Sequence, residues 1–476
     1  MVKHVIYSLT ILLYSFSGFS QSAVEKNNRL VYNRIEYFFN TQQTDSIYAM
    51  ASPTFQKDIS FEKLEMVLQY FYNFGRIKEA IPVSFDQGIA GYNVTIGTKK
   101  ASVFLKTDSA FHFDLLAFKD QQIQVDEKEN IKSEVVKTNA LDEYIDSIAK
   151  TYIRQKSAHA LAIGVIHQGK TNTFYYGETV KGDSLSLPKE TTLFEIGSIT
   201  KLFTATLLAD LVEKKVISLD DTITKFLPDS VAQNIYLQRI TVKELANHTS
   251  GLPRLPDNID KVPNFSIQNP YAQYGRKELF SYLKNIKLDN SPGENFEYSN
   301  TGFALLGELI AIISKKSYSQ CISEVITTPL CMINTVDKIN PKTQQVSSVY
   351  DNTGSETPMW QWQVFAGTGS LKSTVADMLR FAKVQFKMPE NNLEHALALT
   401  RQFTYYHPPA TDIGLAWHMN MINDVIQYWH NGATGGSSAF FAIIPDSKSA
   451  IVVLSNTAIS VDQISTQIVD KLIDTK

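Results

Sequence analysis

The chain has 476 residues, 43% hydrophobic and 20% charged, which is enough apolar side chain for a core in each of two domains and too much for a disordered protein. Its net charge of −3, with acidic and basic residues intermixed, excludes the basic stripe by which nucleic acid is gripped. The partners such a chain suits are small molecules or peptide fragments, with no nucleic acid among them.

At the N-terminus, Lys3 and His4 precede an apolar stretch from Val5 to Phe19, followed by Ser20, Gln21, Ser22 and Ala23. This layout predicts a secretory signal peptide over 1–22, cleaved near Gln21 to Ala23, and hence a secreted or periplasmic protein. The alternative is an uncleaved anchor, but the stretch is broken by Ser and Tyr and falls short of the roughly 20 apolar residues that a span needs. No cysteine lies near the cleavage region, which argues against a lipoprotein. No later segment is apolar enough to cross a bilayer, so no stable membrane span is expected after cleavage.

Residues 24–125 predict a small α+β domain. Leu30, Ile35, Phe38 and Phe39 fall at helical spacing, Phe61 to Phe71 gives a second helix, and Ile81 to Leu116 runs in strands with turns at Gln87-Gly88, Gly97-Thr98 and Thr107-Asp108. Phe71, Tyr72, Phe74, Phe111 and Phe113 are expected in its core rather than around a ligand. The order of elements loosely resembles the cone-shaped nuclear transport factor two-like domains found ahead of secreted hydrolases. Gln121 to Thr138 is polar without apolar periodicity and predicts a linker, placed at 126–139.

From 140 to 476 the pattern predicts a second α+β domain. Leu161–His167 and Thr173–Gly177 form a hairpin around Gln168-Gly169, and Ala439–Ile444 and Ala450–Leu454 form another around Pro445 to Lys448. A closing helix carries Val461, Ile464, Ile468, Leu472 and Ile473. Strands at both ends with helices between them predict one antiparallel sheet built from both termini, beside a helical subdomain.

Within this domain, Ser198-Ile199-Thr200-Lys201 places a hydroxyl and an amine three residues apart at a helix start, where i and i+3 share a face. A lysine kept partly neutral by burial can take the serine proton, which makes the hydroxyl a nucleophile for acyl transfer. The same spacing recurs at Ser60/Lys63, Ser147/Lys150 and Ser281/Lys284, so context must choose. Ser198 follows the turn Glu195-Ile196-Gly197 and opens an apolar run, Leu202 to Val212, spaced like the buried side of a helix. Downstream stand Tyr298-Ser299-Asn300, after Pro292-Gly293, and His430-Asn431-Gly432, leading into Ala433-Thr434-Gly435-Gly436.

In this order the three elements resemble the serine β-lactamase and penicillin-binding protein superfamily, whose motifs are Ser-x-x-Lys, Tyr/Ser-x-Asn and Lys-Thr-Gly. His248-Thr249-Ser250-Gly251-Leu252-Pro253 and the Tyr-x-Asn form are most similar to the branch of class C β-lactamases, DD-peptidases and family VIII esterases. Ala366-Gly367-Thr368-Gly369-Ser370-Leu371 and Gly414-Leu415-Ala416-Trp417 add to the likeness, which runs from about Ala140 to the C-terminus.

The resemblance implies a site in the groove between sheet and helical subdomain. Ser198 would be the nucleophile, beyond an N-cap role, and Lys201 the proton acceptor, where a solvated lysine would be inert. Tyr298 would be a base or relay favoured by nearby cations, rather than a core tyrosine; a second Tyr-x-Asn stands at Tyr350-Asp351-Asn352. Asn300 would orient Lys201 and bind the acyl amide of the substrate. The backbone N–H groups of Ser198 and Ala433 would hold the oxyanion, and Gly432, Gly435 and Gly436 would let substrate approach the strand edge.

His430 departs from the pattern, because Lys-Thr-Gly occurs nowhere in the chain. A histidine titrates near pH 6.5, so anionic β-lactams and D-Ala-D-Ala ends should be held less firmly than by lysine. His430 is therefore either a pH-dependent anchor or a neutral hydrogen-bond donor, and Arg254 is the candidate for a replacement cation.

Cys321 and Cys331 either pair or stay as two reduced buried thiols. The nine histidines show no His-x-x-x-His cluster, so neither a metal nor another cofactor is expected. The leading reading is a secreted serine hydrolase acting through a covalent acyl-enzyme on an ester, amide or peptide. The alternative is a non-catalytic or slowly acylating penicillin-binding sensor of the same fold. An α/β-hydrolase is disfavoured, since no Gly-x-Ser-x-Gly elbow is present. Oligomeric state is not legible at this level.

Overall fold

The computed structural model describes residues 23–474 apart from 73, 87, 98, 121–130, 184 and 408–410, so the expected signal segment 1–22 lies outside the described residues. The chain divides into two compact units, Met1–Ile123 and Gln124–Lys476. In the first, α1 (Ala23–Asn40), α2 (Thr44–Ala49), α3 (Pro53–Asp58) and α4 (Phe61–Tyr72) precede β1 (Ile77–Asp86), β2 (Ile89–Ile96), β3 (Lys99–Thr107) and β4 (Phe113–Asp120). The strands pair antiparallel in sequence order. Pro82 sits on the edge strand β1 beside a register shift, the kind of position to which proline is confined in a sheet.

The helices α2 and α3 escape the periodicity argument because six residues hold under two turns. Local chemistry starts α3 instead: the Ser52 side chain accepts from the Phe55 N–H, and Pro53 fills the first turn. Phe71, Tyr72 and Phe113 pack into the core with Ile35, Phe39 and Val103. Phe74 and Phe111 do not, being 36% and 42% exposed. Both lie in the connections just past α4 and β3, where no packed face continues.

The second unit opens earlier than the composition implies. Ser133–Val135, read as linker, forms β5, an edge strand antiparallel to β7, with Val135 packed on the core. Three residues are too few to show alternation. There follow α5 (Ala140–Ile153), β6 (Ala160–His167) and β7 (Lys170–Gly177), then β8 (Phe194–Glu195), α6 (Thr200–Glu213), α7 (Val242–Ala246) and α8 (Asn300–Ser314). After these come β9 (Lys372–Ser373), α9 (Val375–Val384), β10 (Tyr405–His407), β11 (Thr411–Ile413) and β12 (His418–Ile422). The unit ends with β13 (Val425–Ala433), β14 (Ser438–Ile444), β15 (Ser449–Ser455) and α10 (Asp462–Asp474).

The β6–β7 hairpin turns on Gln168 and Gly169, both with positive φ (48° and 75°), the geometry that matches strand twist. The nine described strands of the large sheet run in the order β10-β11-β12-β13-β14-β15-β6-β7-β5. Last strands therefore join first, with Ile451 opposite Val165 and Val453 opposite Ile163. Alternation splits the side chains. Leu161, Ile163, Phe440 and Val453 face the cluster that holds Ile145 of α5 and Ile468 of α10, while Ala162, Phe441 and Val452 face the helical side. At Gly164 a Cβ would stand 2.3 Å from Val375 Cγ1, so its absence lets α9 lie against the sheet.

The helix behind the nucleophile corrects the expectation of one buried side, because every residue from Thr200 to Leu211 is buried. It runs through the largest apolar cluster, and its polar residues are satisfied inside it: Thr204 Oγ donates to the Gly367 carbonyl at 2.7 Å and Thr206 Oγ to the Leu202 carbonyl at 2.8 Å. The cysteines do not pair, and only Cys321 is buried; Cys331 is exposed. Among the described residues no helix is long and apolar enough to cross a membrane, and no cluster of His, Cys, Asp and Glu could hold a metal ion.

Candidate active site

Ser198 lies in a 3-10 turn, Gly197–Ile199, directly ahead of α6. It does not cap that helix: Ile199 holds the cap position and no side chain bonds there. Gly197 has φ +49°, and a Cβ on it would come within 2.7 Å of the Ala433 nitrogen, so only glycine lets this turn press against the end of β13. One helical step on, Lys201 is 0% exposed, with Nζ 3.1 Å from Ser198 Oγ and 2.9 Å from the Thr368 carbonyl. Burial, with the positive charge of Arg254 adding to it, holds the amine well below its ordinary value of 10.5. A neutral amine there keeps one N–H on the Thr368 carbonyl and turns its lone pair to the serine hydroxyl.

The other Ser-x-x-Lys positions lack this arrangement. Lys150, for example, pairs with Asp146 at 2.8 Å on α5. The expected Asn300–Lys201 bond is also replaced: Thr368 orients the lysine, and Asn300 Oδ1 is buried with no partner. Thr368 belongs to a stretch already conspicuous in the sequence, but a backbone carbonyl carries no residue-type signal.

Tyr298 is the hub of the site. Lys201 Nζ lies 4.9 Å from its ring centroid, the Arg254 guanidinium 5.2 Å, and the His248 ring stacks on it at 4.4 Å and 29°. The segment is fixed by Ser299, which caps α8: its Oγ accepts from the Gly302 N–H at 2.8 Å and donates to the Pro253 carbonyl at 2.8 Å. The backbone N–H of Ser299 donates to His248 Nδ1 at 3.0 Å, and that of Asn300 to the Arg254 carbonyl at 3.0 Å. His248 itself adopts φ +63°, a strained setting for a side chain bearing a Cβ. Its imidazole is pushed well below the ordinary histidine value by burial first and then by Lys201, His418, His430 and Arg254, so it stays neutral. Residue patterning quoted His248 as part of a motif but assigned it no place; its stacking depends on a turn conformation that spacing does not encode. The rival Tyr350 is 2% exposed, and its hydroxyl accepts from the Lys181 N–H at 2.7 Å.

His430 is on β13, 1% exposed, with its ring 6.3 Å from that of Tyr298 and 5.3 Å from that of His418. Its Nδ1 meets the Asn431 carbonyl at 2.5 Å, and a carbonyl only accepts, so Nδ1 carries the proton and Nε2 is an acceptor. Burial, then Lys201, pushes its pKa down to about 3. His430 is thus a neutral imidazole whose buried Nε2 is an acceptor, in place of both the titrating anchor and the neutral donor. Asn431, in the middle of this element, turns away: its Nδ2 donates to Asp462 Oδ2 at 3.0 Å.

The glycines also serve a different purpose from an open strand edge. A Cβ at Gly432 would stand 2.0 Å from the Ile196 carbonyl oxygen and 3.0 Å from the Ser198 nitrogen. One at Gly435 would meet Trp360 at 2.8 Å, and one at Gly436 would meet Val349 and Thr357 at 2.7 Å. They allow close packing, which brings Ala433 beside the nucleophile turn. Ser198, Lys201, Tyr298, Asn300, His430, Gly432 and Ala433 are thereby collected around one place, joined by Thr368, His248 and Arg254.

Comparison with known proteins gives the family and the fold of the second unit. The Beta-lactamase family model matches residues 145–472. The D-alanyl-D-alanine-carboxypeptidase/endopeptidase AmpH of Escherichia coli (strain K12) is 28% identical over 342 residues, 68% of this chain and 85% of that protein. A Beta-lactamase of Psychrobacter immobilis is 26% identical over 354 residues, 66% of this chain and 83% of that one. Among solved structures, a class C beta-lactamase superposes with a TM-score of 0.62 at 21% identity, covering 70% of this chain and 96% of its own. A beta-lactamase/D-alanine carboxypeptidase from Pseudomonas syringae gives 0.61 at 21% identity, covering 71% and 99%. The α+β fold of the second unit is that of the class C enzymes, and the chain belongs to the Beta-lactamase family of serine hydrolases.

Proposed function

We propose that this chain is a secreted serine acyl hydrolase in which Ser198 Oγ attacks an ester, amide or peptide carbonyl and the acyl-serine is then hydrolysed. The observation that carries the reading is the buried, pKa-depressed Lys201 amine 3.1 Å from Ser198 Oγ. Its lone pair accepts the serine proton as the new C–O bond forms. Tyr298 relays that proton from Lys201 to the leaving group, and the backbone N–H groups of Ser198 and Ala433 receive the oxyanion, each such donor being worth about 3 kcal/mol. The orphan acceptor at Asn300 Oδ1 suits an amide N–H on the acyl side of a substrate. The names of the relatives, a carboxypeptidase/endopeptidase and a beta-lactamase, favour a peptide or β-lactam amide bond.

The neutral His430 supports a second reading, a slowly acylating penicillin-binding sensor, because this position of the third motif carries no permanent charge. A panel of D-amino-acid peptides, nitrocefin and p-nitrophenyl esters separates the two. Multiple turnovers that vanish in Ser198→Ala support the hydrolase; a single stoichiometric acylation supports the sensor. Secretion follows from the sequence layout of 1–22. The first unit, helices followed by an antiparallel meander, is consistent with a nuclear transport factor two-like accessory domain.

A further inference from the structure

Glu195 lies on β8, three residues ahead of Ser198 and 2% exposed, and takes no part in the chemistry above. A buried carboxylate costs several kcal/mol unless its oxygens are hydrogen-bonded. Both are. Thr434 Oγ donates to Oε2 at 2.7 Å, and the Trp360 backbone N–H donates to Oε1 at 3.2 Å. Thr434 Oγ also accepts from the Gly436 N–H at 3.3 Å, which leaves its own proton for Glu195. Burial raises the carboxyl pKa, while Lys372, its cross-strand partner on β9, opposes the rise. Both carboxyl oxygens are thus held by donors from the segments around them, the Thr434 hydroxyl on one and the Trp360 N–H on the other.

Thr434 directly follows Ala433, and Glu195 is two residues from Gly197, whose missing Cβ lets the two segments touch at the Ala433 nitrogen. The β13–β14 ladder ends at the Ala433–Ser438 pair, and the turn beyond it contains Gly435 and Gly436, which lend it little stiffness of their own. We propose that Glu195 and Thr434 form a side-chain clamp that sets the spacing between the Ser198 and Ala433 N–H groups, making both positioning residues for acyl transfer. The proposal rests on the serine acyl-transfer reading given above. An oxyanion needs donors at about 2.7–3.1 Å, and a displacement of about 1 Å costs on the order of a hundredfold in rate.

The test uses the full chain and a fluorophosphonate probe, whose phosphonyl oxygen occupies the same N–H pair while its phosphorus bonds to the serine oxygen and fluoride departs. Labelling is followed for wild type, Ser198→Ala, Thr434→Val, Thr434→Ser and Glu195→Gln. The clamp predicts that Thr434→Val lowers the maximal labelling rate roughly thirtyfold with the half-saturating probe concentration unchanged, as expected for misplaced oxyanion donors. Thr434→Ser, which keeps the hydroxyl, restores most of that rate. Combining Thr434→Val with Glu195→Gln adds no further loss, since the two residues act as one unit. The clamp is overturned if Thr434→Val labels at the wild-type rate, if Thr434→Ser is as slow as Thr434→Val, or if half-saturation worsens by the factor that the rate falls. Labelling of Ser198→Ala at the wild-type rate would instead remove the acyl-transfer reading, and the clamp with it.

Discussion

Lys201 combines a functional demand with a folding penalty. The unfolded chain keeps a proton on this amine up to about its ordinary 10.5, while the folded chain releases it well below. Between those values the unfolded state binds more protons, so stability rises with pH through that window, and at neutral pH the native state carries the penalty. Lys201→Met is therefore expected to unfold at higher temperature than wild type near pH 7, with the gap shrinking as pH approaches 10, while its labelling by an active-site probe is lost. A lower melting temperature for Lys201→Met at pH 7 would contradict the burial argument. His430 makes the opposite kind of statement: neutral above about pH 3, it contributes no ionisation between pH 5 and 8. The kcat/KM profiles of an anionic and a neutral p-nitrophenyl ester should have the same shape across that range, and a divergence centred near pH 6.5 would restore the titrating anchor. At this scale the convergence of Ser198, Lys201 and Tyr298 was legible because the proposed chemistry calls for particular side chains. The contribution of the Thr368 carbonyl and the Nε2 polarity of His430 were not, because both come from backbone groups that any residue supplies.

Elements explain why these few side chains converge. The nucleophile turn and the end of β13 come into contact only because Gly197 and Gly432 face each other's backbones. Gly432→Ala puts a methyl 2.0 Å from the Ile196 carbonyl oxygen. Overpacking of this kind costs about 1–3 kcal/mol, and the forced separation lowers the acylation rate by on the order of a hundredfold. Urea unfolding and single-turnover acylation of this variant check both figures. If its acylation matched wild type, contact between the segments would be immaterial. The sequence read these glycines as room for substrate, a reasonable use of their type, but only the fold shows which neighbour fills the space. The same limit applies to α6. Its apolar run predicted a helix correctly but underestimated its burial, because Thr200, Thr204 and Thr206 look polar until the Leu371 N–H that Thr200 accepts and the carbonyls to which Thr204 and Thr206 donate are in place.

For the whole molecule, the sheet built from both ends of the second unit was legible through the period-2 hairpins, whereas the strand Ser133–Val135 was too short to stand out from a polar segment. Among the described residues, the core of the first unit draws on residues 31–118 and those of the second on residues from 131 onward. A chain beginning at Gln124 should therefore fold and retain labelling, whereas one beginning at Ala140 loses the edge strand and melts lower; thermal unfolding of the two lengths checks this. The central claim is that the chain forms a covalent bond through Ser198 with help from Lys201. The most direct measurement is mass spectrometry of proteolytic fragments after incubation with a fluorescent penicillin and, separately, a fluorophosphonate. The account predicts an adduct on the fragment bearing Ser198 with at least one of the two probes, none there in Ser198→Ala, and an adduct slowed at least about a hundredfold in Lys201→Ala. No adduct on wild type with either probe, or one that persists undiminished in Ser198→Ala, would contradict it.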